Sequence, residues 1–261
     1  MAEVVLTPTA DEASALAADH VARAIAAQPR LVLGVATGST PERFYRHLAR
    51  RISEEGLDVA GVRAFALDEY VGLPPDHPES YAAVIERTVT TPLGLDPAHV
   101  HVPDGRAADP FAAAAAYDRA IDEAGGVDIQ ILGIGRNGHI GFNEPGSSLG
   151  SRTRVKTLAA STREANARFF ADSADVPVHC ITQGIGTIRE ARHLILLAFG
   201  ADKSAALAGA VEGPVTARLP GSAIQLHAHV TVLADEGAAG ELTLADAYRE
   251  AWALKPAAQG F

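Results

Sequence analysis

A single cysteine, Cys180, in 261 residues excludes an intrachain disulfide framework. Basic residues are outnumbered, 22 Lys and Arg against 32 Asp and Glu. The resulting formal charge of −10 argues against a nucleic-acid or anionic-membrane surface, both of which draw affinity from clustered cations. No basic helix-turn-helix segment is visible. The apolar run Val127 to Leu132 is too short to span a bilayer. The opening residues MAEVVLTPTADEAS have no basic region followed by an apolar one, so a reducing cytoplasm is the expected setting. There is no G-K-[S/T] of a Walker A loop and no G-x-S-x-G of a hydrolase elbow. The histidine pairs His99/His101 and His227/His229 would each set two rings on one face of a strand. Neither pair has a third ligand close in sequence, so no metal is expected. No repeat and no Pro/Gly/Ser-rich linker divides the chain, and residues 1–261 read as one domain.

What is present is an alternation of strand and helix signals. Strands are expected at Leu31–Val35, Val62–Leu67, His99–Val102, Val127–Leu132, His193–Phe199 and His229–Leu233, with helical windows between most of them. This order implies an α/β fold of three αβα layers around a mainly parallel, Rossmann-like sheet, and the 48% hydrophobic content suffices for its core. One helix is announced by the capping-box pair Thr9 and Glu12, followed by Ala13, Leu16, Ala17, Val21, Ala24 and Ile25 on one face. Asp109 before Pro110 opens another.

Ligands of such sheets gather at the carboxyl ends of the strands, and four of those ends carry polar groups that a core does not need. After Val127–Leu132 comes GIGRNGHIGFNEP, with Asn137, His139, Asn143 and Glu144. Gly133, Gly135 and Gly138 match the G-x-G-x-x-G spacing, but Gly141, Asn143 and Pro145 break any helix, and TRVKTLAA stands where a ribose-binding acid belongs. No nucleotide cofactor is therefore expected. After Leu31–Val35 comes ATGSTP: Gly38, Ser39 and Thr40, with Thr40 as the expected cap and Pro41 as first helical residue. Amides, hydroxyls and a helix dipole would converge there on a phosphate. An ordinary capped turn would use the same residue types. After Val62–Leu67 come Asp68 and Glu69, of which at least one carboxylate should share a crevice with His139. Asp68 could exchange a proton with a carbon acid or merely close a turn. After His193–Phe199, Lys203 falls in the first turn of a helix, where a cation is unfavourable unless an anion is near. Arg168 ends the helical window Thr162–Phe170.

Together ATGSTP, LDEYVGL with HPESY, GIGRNGHIGFNEPGSS, SRTRVKTL and AVEG resemble the glucosamine-6-phosphate deaminase family over nearly the whole chain and in the family's order. The most specific element is GHIGFNEP; the related 6-phosphogluconolactonases share the glycine-rich turn but lack FNEP and DEYVGL. The resemblance implies hydrolytic isomerisation and deamination of glucosamine 6-phosphate to fructose 6-phosphate and ammonia, in amino sugar catabolism, without an organic cofactor. It implies Asp68 as the group moving hydrogen between C2 and C1, His139 as the ring-opening group, and Glu144 as its orienting partner. Gly38, Ser39, Thr40, Arg168 and Lys203 would hold the phosphate. Where this chain has Asn137, many members carry an aspartate that joins the relay; Asn orients a ring but carries no charge. Some members are hexamers activated by an acetylated sugar phosphate, and Ser147, Arg154 and Lys156 resemble positions used there. The tail AWALKPAAQGF does not match the aromatic contact of activated members, so a homo-oligomer is left open and allostery is not expected. A lactonase, an isomerase of another amino sugar phosphate, and a non-catalytic sugar-phosphate sensor are the competing readings.

Overall fold

The computed structural model describes residues 3–74, 76–170, 172–256 and 259. The positions 257, 258, 260 and 261 of the tail AWALKPAAQGF, and the first two residues of MAEVVLTPTADEAS, lie outside the described residues. The strands are β1 (Glu3–Thr7), β2 (Val32–Val35), β3 (Arg63–Ala66), β4 (Asp68–Tyr70), β5 (Val100–His101), β6 (Ile129–Gly133), β7 (Arg154–Thr157), β8 (His179–Thr182), β9 (His193–Ala198) and β10 (Val230–Asp235). The helices are α1 (Ala10–Ala27), α2 (Ser39–Glu55), α3 (Tyr81–Ile85), α4 (Thr91–Leu93), α5 (Pro110–Glu123), α6 (Ala160–Asn166), α7 (Ile185–Arg189), α8 (Ser204–Val211) and α9 (Ala245–Ala253).

Seven strands form one sheet in the order β1-β10-β9-β6-β2-β3-β5, every neighbouring pair parallel. Strands such as β2 and β9 are buried at every residue, because helices cover both faces of a parallel sheet. Adjacent residues of β9 serve opposite sides. Leu194 and Leu196 pack with Tyr117, Ile121, Ile188 and Leu207 of α5, α7 and α8, while Ile195 and Leu197 pack with Val21, Ile25, Phe44 and Leu48 of α1 and α2. This is the expected three-layer αβα arrangement. Each large aliphatic side chain sealed in these layers stabilises the fold by about 1.5–3 kcal/mol.

The chain runs outward through β2, β3 and β5, returns to β6 beside β2, and runs outward the other way through β9 and β10. The order therefore reverses between β2 and β6, which opens a crevice at their carboxyl ends.

All six expected strands are present. β1 was not anticipated; it pairs with β10 at the sheet edge. A second, antiparallel sheet, β4-β8-β7, was not anticipated either, and it grows from the end of β3 after one residue, Leu67. His227 and His229 lie before β10 instead of on it. His227 bonds Ala191 O through Nε2 at 2.6 Å, and His229 stacks on His193, with ring centroids 3.6 Å apart.

The helix starts follow their caps. Thr9 accepts from Glu12 N at 3.2 Å, although the Glu12 carboxylate meets the Thr9 hydroxyl (3.3 Å) instead of closing the capping box on the backbone. Asp109 accepts from Phe111 N and Ala112 N. Among the described residues no helix is long and apolar enough to cross a membrane.

Candidate active site

Four neighbouring strands, β9, β6, β2 and β3, end side by side, about 4.8 Å apart per step. Their carboxyl ends deliver, in that order, Lys203, the Asn137–Glu144 turn, Gly38–Thr40 and Asp68. The strand order thus brings together residues that lie up to 165 positions apart.

The turn after β6 opens no helix at Gly138. It folds back through Gly138 N to Gly135 O (2.9 Å), Gly135 N to His139 O (2.9 Å) and an Ile140–Asn143 bridge, which is incompatible with a dinucleotide loop. Two glycines here are dictated by contacts. A Cβ on Gly135 would stand 2.2–2.5 Å from atoms of the His139 ring. Gly141, at φ +54°, would carry a Cβ 3.2 Å from Asp68 Oδ2.

His139, Asn137 and Glu144 form a hydrogen-bonded line. Nδ2 of Asn137 donates to Glu144 Oε2 at 2.8 Å, and Asn137 Oδ1 lies 2.7 Å from His139 Nδ1. A carboxylate only accepts, so Asn137 must turn its nitrogen to Glu144 and its oxygen to the ring. His139 then carries its proton on Nδ1 and leaves Nε2 as a free acceptor. Glu144 Oε2 stands 3.8 Å from Nδ1, so the expected partnership of Glu144 with His139 runs through Asn137. The hydroxyl of Thr162 donates to the other carboxylate oxygen, Oε1. Burial holds the His139 pKa below the ordinary histidine value and the Lys203 charge adds to this, while the Glu144 carboxylate opposes both. This direction favours the neutral ring.

Asp68 is 5% exposed. Burial, and then the neighbouring Glu69 carboxylate, push its pKa up to about 8, against the Phe142 N–H and the Thr182 hydroxyl, which favour the charged form. Thr182 is its antiparallel partner in β8. Glu69 is spent on structure: it accepts from Tyr70 N (2.7 Å), Tyr81 N (2.9 Å) and Ala82 N (2.8 Å), which anchors the start of α3. Of the two adjacent acids, only Asp68 meets the His139 turn, through Gly141.

Gly38, Ser39 and Thr40 begin α2. The cap is Gly38, at φ +112° and ψ 165°, and not Thr40 as expected, because the left-handed turn starts the helix at Ser39 and puts Thr40 and Pro41 inside the first turn. Gly38 and Ser39 are exposed, so the amides at the positive end of a 17-residue helix face outward. Lys203 is half-buried at the last residue of the Ala201–Lys203 turn, just before α8. Burial lowers its pKa, helped by the charges of Arg136 and Arg168 and opposed by Asp202, 3.9 Å away. Arg136, which the sequence reading passed over, pairs with Asp202 at 2.8 Å. Arg168 lies over the Phe169 ring at 4.6 Å. Its segment is held by Asn166 Nδ2 donating to the Tyr70 hydroxyl (2.8 Å) and by Phe170 against Tyr70 and His77.

Arg154 and Lys156 alternate along β7 and so share a face, in register with Thr182 and Cys180 of β8. Ser147 is buried in the turn after Glu144; its backbone N–H reaches Glu144 O at 3.0 Å and its hydroxyl bonds to neither cation. Among the described residues no group of three or more His, Cys, Asp or Glu is arranged to hold a metal ion.

The family model for glucosamine-6-phosphate isomerases/6-phosphogluconolactonase matches residues 7–233. The chain is 58% identical over 247 residues to a glucosamine-6-phosphate deaminase of Cutibacterium acnes, covering 95% of each chain. It is 55% identical over 259 residues to one of Streptomyces coelicolor, covering 99% of each. Among solved structures, a monomeric glucosamine-6-phosphate deaminase superposes with a TM-score of 0.89 at 42% identity, over 92% of this chain and 99% of the other. A 6-phosphogluconolactonase of Trypanosoma cruzi has the same fold, with a TM-score of 0.73 at 23% identity over 93% of this chain and 97% of that one.

Proposed function

The chain belongs to the glucosamine-6-phosphate isomerase/6-phosphogluconolactonase family, and we propose that it converts glucosamine 6-phosphate and water into fructose 6-phosphate and ammonia. The observation that carries this reading is the approach of a buried carboxylate, Asp68, to Gly141, two residues from His139 in the turn that carries the line His139–Asn137–Glu144. The names of relatives 54–58% identical along the chain support it.

The amides of Gly38, Ser39 and Thr40, with Arg168 and Lys203, anchor the phosphate, and that remote binding orients C1 and C2. Neutral His139 accepts the proton of the anomeric hydroxyl at Nε2 and returns a proton to the ring oxygen, which opens the pyranose to an aldehyde. Asn137 keeps the other ring nitrogen protonated, and Glu144 keeps Asn137 turned. Asp68 as carboxylate then removes the proton from C2. The C2–H electrons form the C1–C2 double bond of an enolamine as the C1=O π pair moves onto O1, which takes a proton from the C2 ammonium. The same carboxyl group returns the proton to C1 as the nitrogen lone pair forms the C2=N bond. The resulting C2 imine adds water and expels ammonia, leaving a ketone at C2. No redox change occurs, so no electron carrier is needed. A short buried carboxyl group suits a transfer between adjacent carbons, since few waters reach it to exchange its proton. The single, buried Cys180 fits a reducing cytoplasm as its setting.

Purified protein given glucosamine 6-phosphate is expected to release ammonium and fructose 6-phosphate in equal amounts. Galactosamine 6-phosphate and 6-phosphogluconolactone run in parallel test the competing substrates. Turnover of the lactone without ammonium from either amino sugar would overturn the reading.

A further inference from the structure

We propose that Thr162 is a positioning residue for this reaction: through Glu144 and Asn137 it fixes the tautomer of His139, and it ties that tautomer to the seating of the segment carrying Arg168. The inference rests on reading His139 as the ring-opening group.

Glu144 is 7% exposed and Thr162 equally so. The carboxylate has one neutral donor on each oxygen: Asn137 Nδ2 on Oε2 and the Thr162 hydroxyl on Oε1. With both oxygens engaged, Glu144 has one orientation. It thereby holds Asn137 with its nitrogen inward and its oxygen on His139 Nδ1. Without the Thr162 hydroxyl, Oε1 would be buried and unpaired, a state unfavourable enough that the carboxylate would turn toward another donor. Asn137 Nδ2 would then lose its fixed acceptor. The amide is then held only through Oδ1, by the longer 3.2 Å bond from the His139 backbone N–H. Without its Glu144 acceptor it turns its nitrogen to Nδ1 part of the time, so both neutral tautomers of His139 become accessible. Only the one with a bare Nε2 can take the anomeric proton.

The second link runs along α6. Thr162 is its third residue, Asn166 of the same helix donates to the Tyr70 hydroxyl, and Arg168 follows two residues later. The cation proposed to hold the phosphate and the hydroxyl that holds Glu144 thus sit six positions apart on one short segment. Seating of that segment on a bound phosphate and orientation of the His139 line are mechanically joined. Thr162 meets no reacting atom in this scheme; it acts through Glu144.

The test is ¹⁵N NMR of the His139 ring in the full-length protein, alongside the pH profile of kcat. Thr162→Val keeps the shape and removes the donor; Thr162→Ser keeps the donor. Wild type and Thr162→Ser should show neutral His139 as a single Nδ1-protonated tautomer. Thr162→Val should show a mixture of both tautomers and a kcat reduced about tenfold, the effect of losing about 1.4 kcal/mol of hydrogen bonding to a charged group. KM should change less than kcat. Thr162→Ala, of different shape, should give the same mixture, so a folding defect in one variant does not decide the result. A single Nδ1-protonated signal in Thr162→Val or Thr162→Ala, or a mixture in Thr162→Ser, overturns the proposal. The tautomer is read without turnover. A wild type that releases no ammonium therefore overturns the proposed activity while the tautomer result still stands on its own.

Discussion

Asn137 and Glu144 are joined by a 2.8 Å hydrogen bond in which the amide donates and the carboxylate accepts. Replacing Asn137 by Asp removes the donor and sets two carboxyl groups at that separation. They cannot both ionise, so they share a proton and titrate as a pair, with one apparent pKa raised above the usual carboxylate range. A ¹³C NMR titration of Asn137→Asp should reveal this group, and turnover should change with pH through it. Asn137→Ala, which interrupts the line, should lower kcat on the order of 10²-fold, a typical loss for general acid–base assistance.

In the proposed role Asp68 acts as a carboxylate, and its pKa of about 8 means that kcat/KM should climb as pH rises to that value. Stability should run the other way. The folded state holds a proton on Asp68 between pH 3.8 and about 8 that the unfolded chain has released, so folding weakens as pH rises through this window. Asp68→Asn should therefore abolish isomerisation yet unfold at higher urea concentration than wild type, with a difference that grows from pH 4 to pH 8 and then levels off. Equal pH dependence in the two proteins would contradict the burial of a strained acid here.

Gly135 lies where the His139 ring needs space, and a Cβ would come within 2.2–2.5 Å of the ring. Gly135→Ala should displace the imidazole and lower kcat on the order of 10²-fold with little change in KM, because a misplacement of about 1 Å is enough. Steady-state kinetics separate the two parameters.

At the amino ends of β9 and β10, His193 stacks on His229 and meets His20 edge-on at 5.0 Å. Burial, followed by the neighbouring histidines His229, His20 and His227, lowers the pKa of His193 to about 3; burial, followed by the Arg23 charge, lowers that of His20 to about 4. The unfolded chain takes up these protons from pH 6.5 downward while the folded one does not, so this cluster's contribution falls as pH drops from 6.5 toward 4. Denaturation of His193→Gln across that range should show a shallower loss than wild type.

The sheet was legible because parallel strands buried on both faces leave apolar runs in the sequence, as in VLGV and HLILLA. The second sheet was not. DEY, RVKT and HCIT are short and mixed in polarity, and become strands only by pairing with one another, DEY with HCIT across more than 100 positions and RVKT with HCIT across 22 to 28. In the site, Asp68, His139 and Glu144 stood out as polar groups at the ends of apolar strands. Thr162 and Thr182 did not, because their meaning lies in partners 18 and 114 positions away, Glu144 and Asp68, and no local pattern marks them. The cap of α2 was misjudged because Thr40 is a good cap by type, whereas the left-handed turn at Gly38 starts the helix two residues earlier. That Asn137 stands between His139 and Glu144 is a matter of geometry that residue order could not reveal.

The most direct measurement is to give wild type and Asp68→Asn glucosamine 6-phosphate carrying deuterium at C2, following ammonium release and the label in the ketose by NMR. Wild type should release one ammonium per fructose 6-phosphate with deuterium carried in part to C1, and Asp68→Asn should do neither. No ammonium from wild type, or near-normal release from Asp68→Asn, would contradict the assignment.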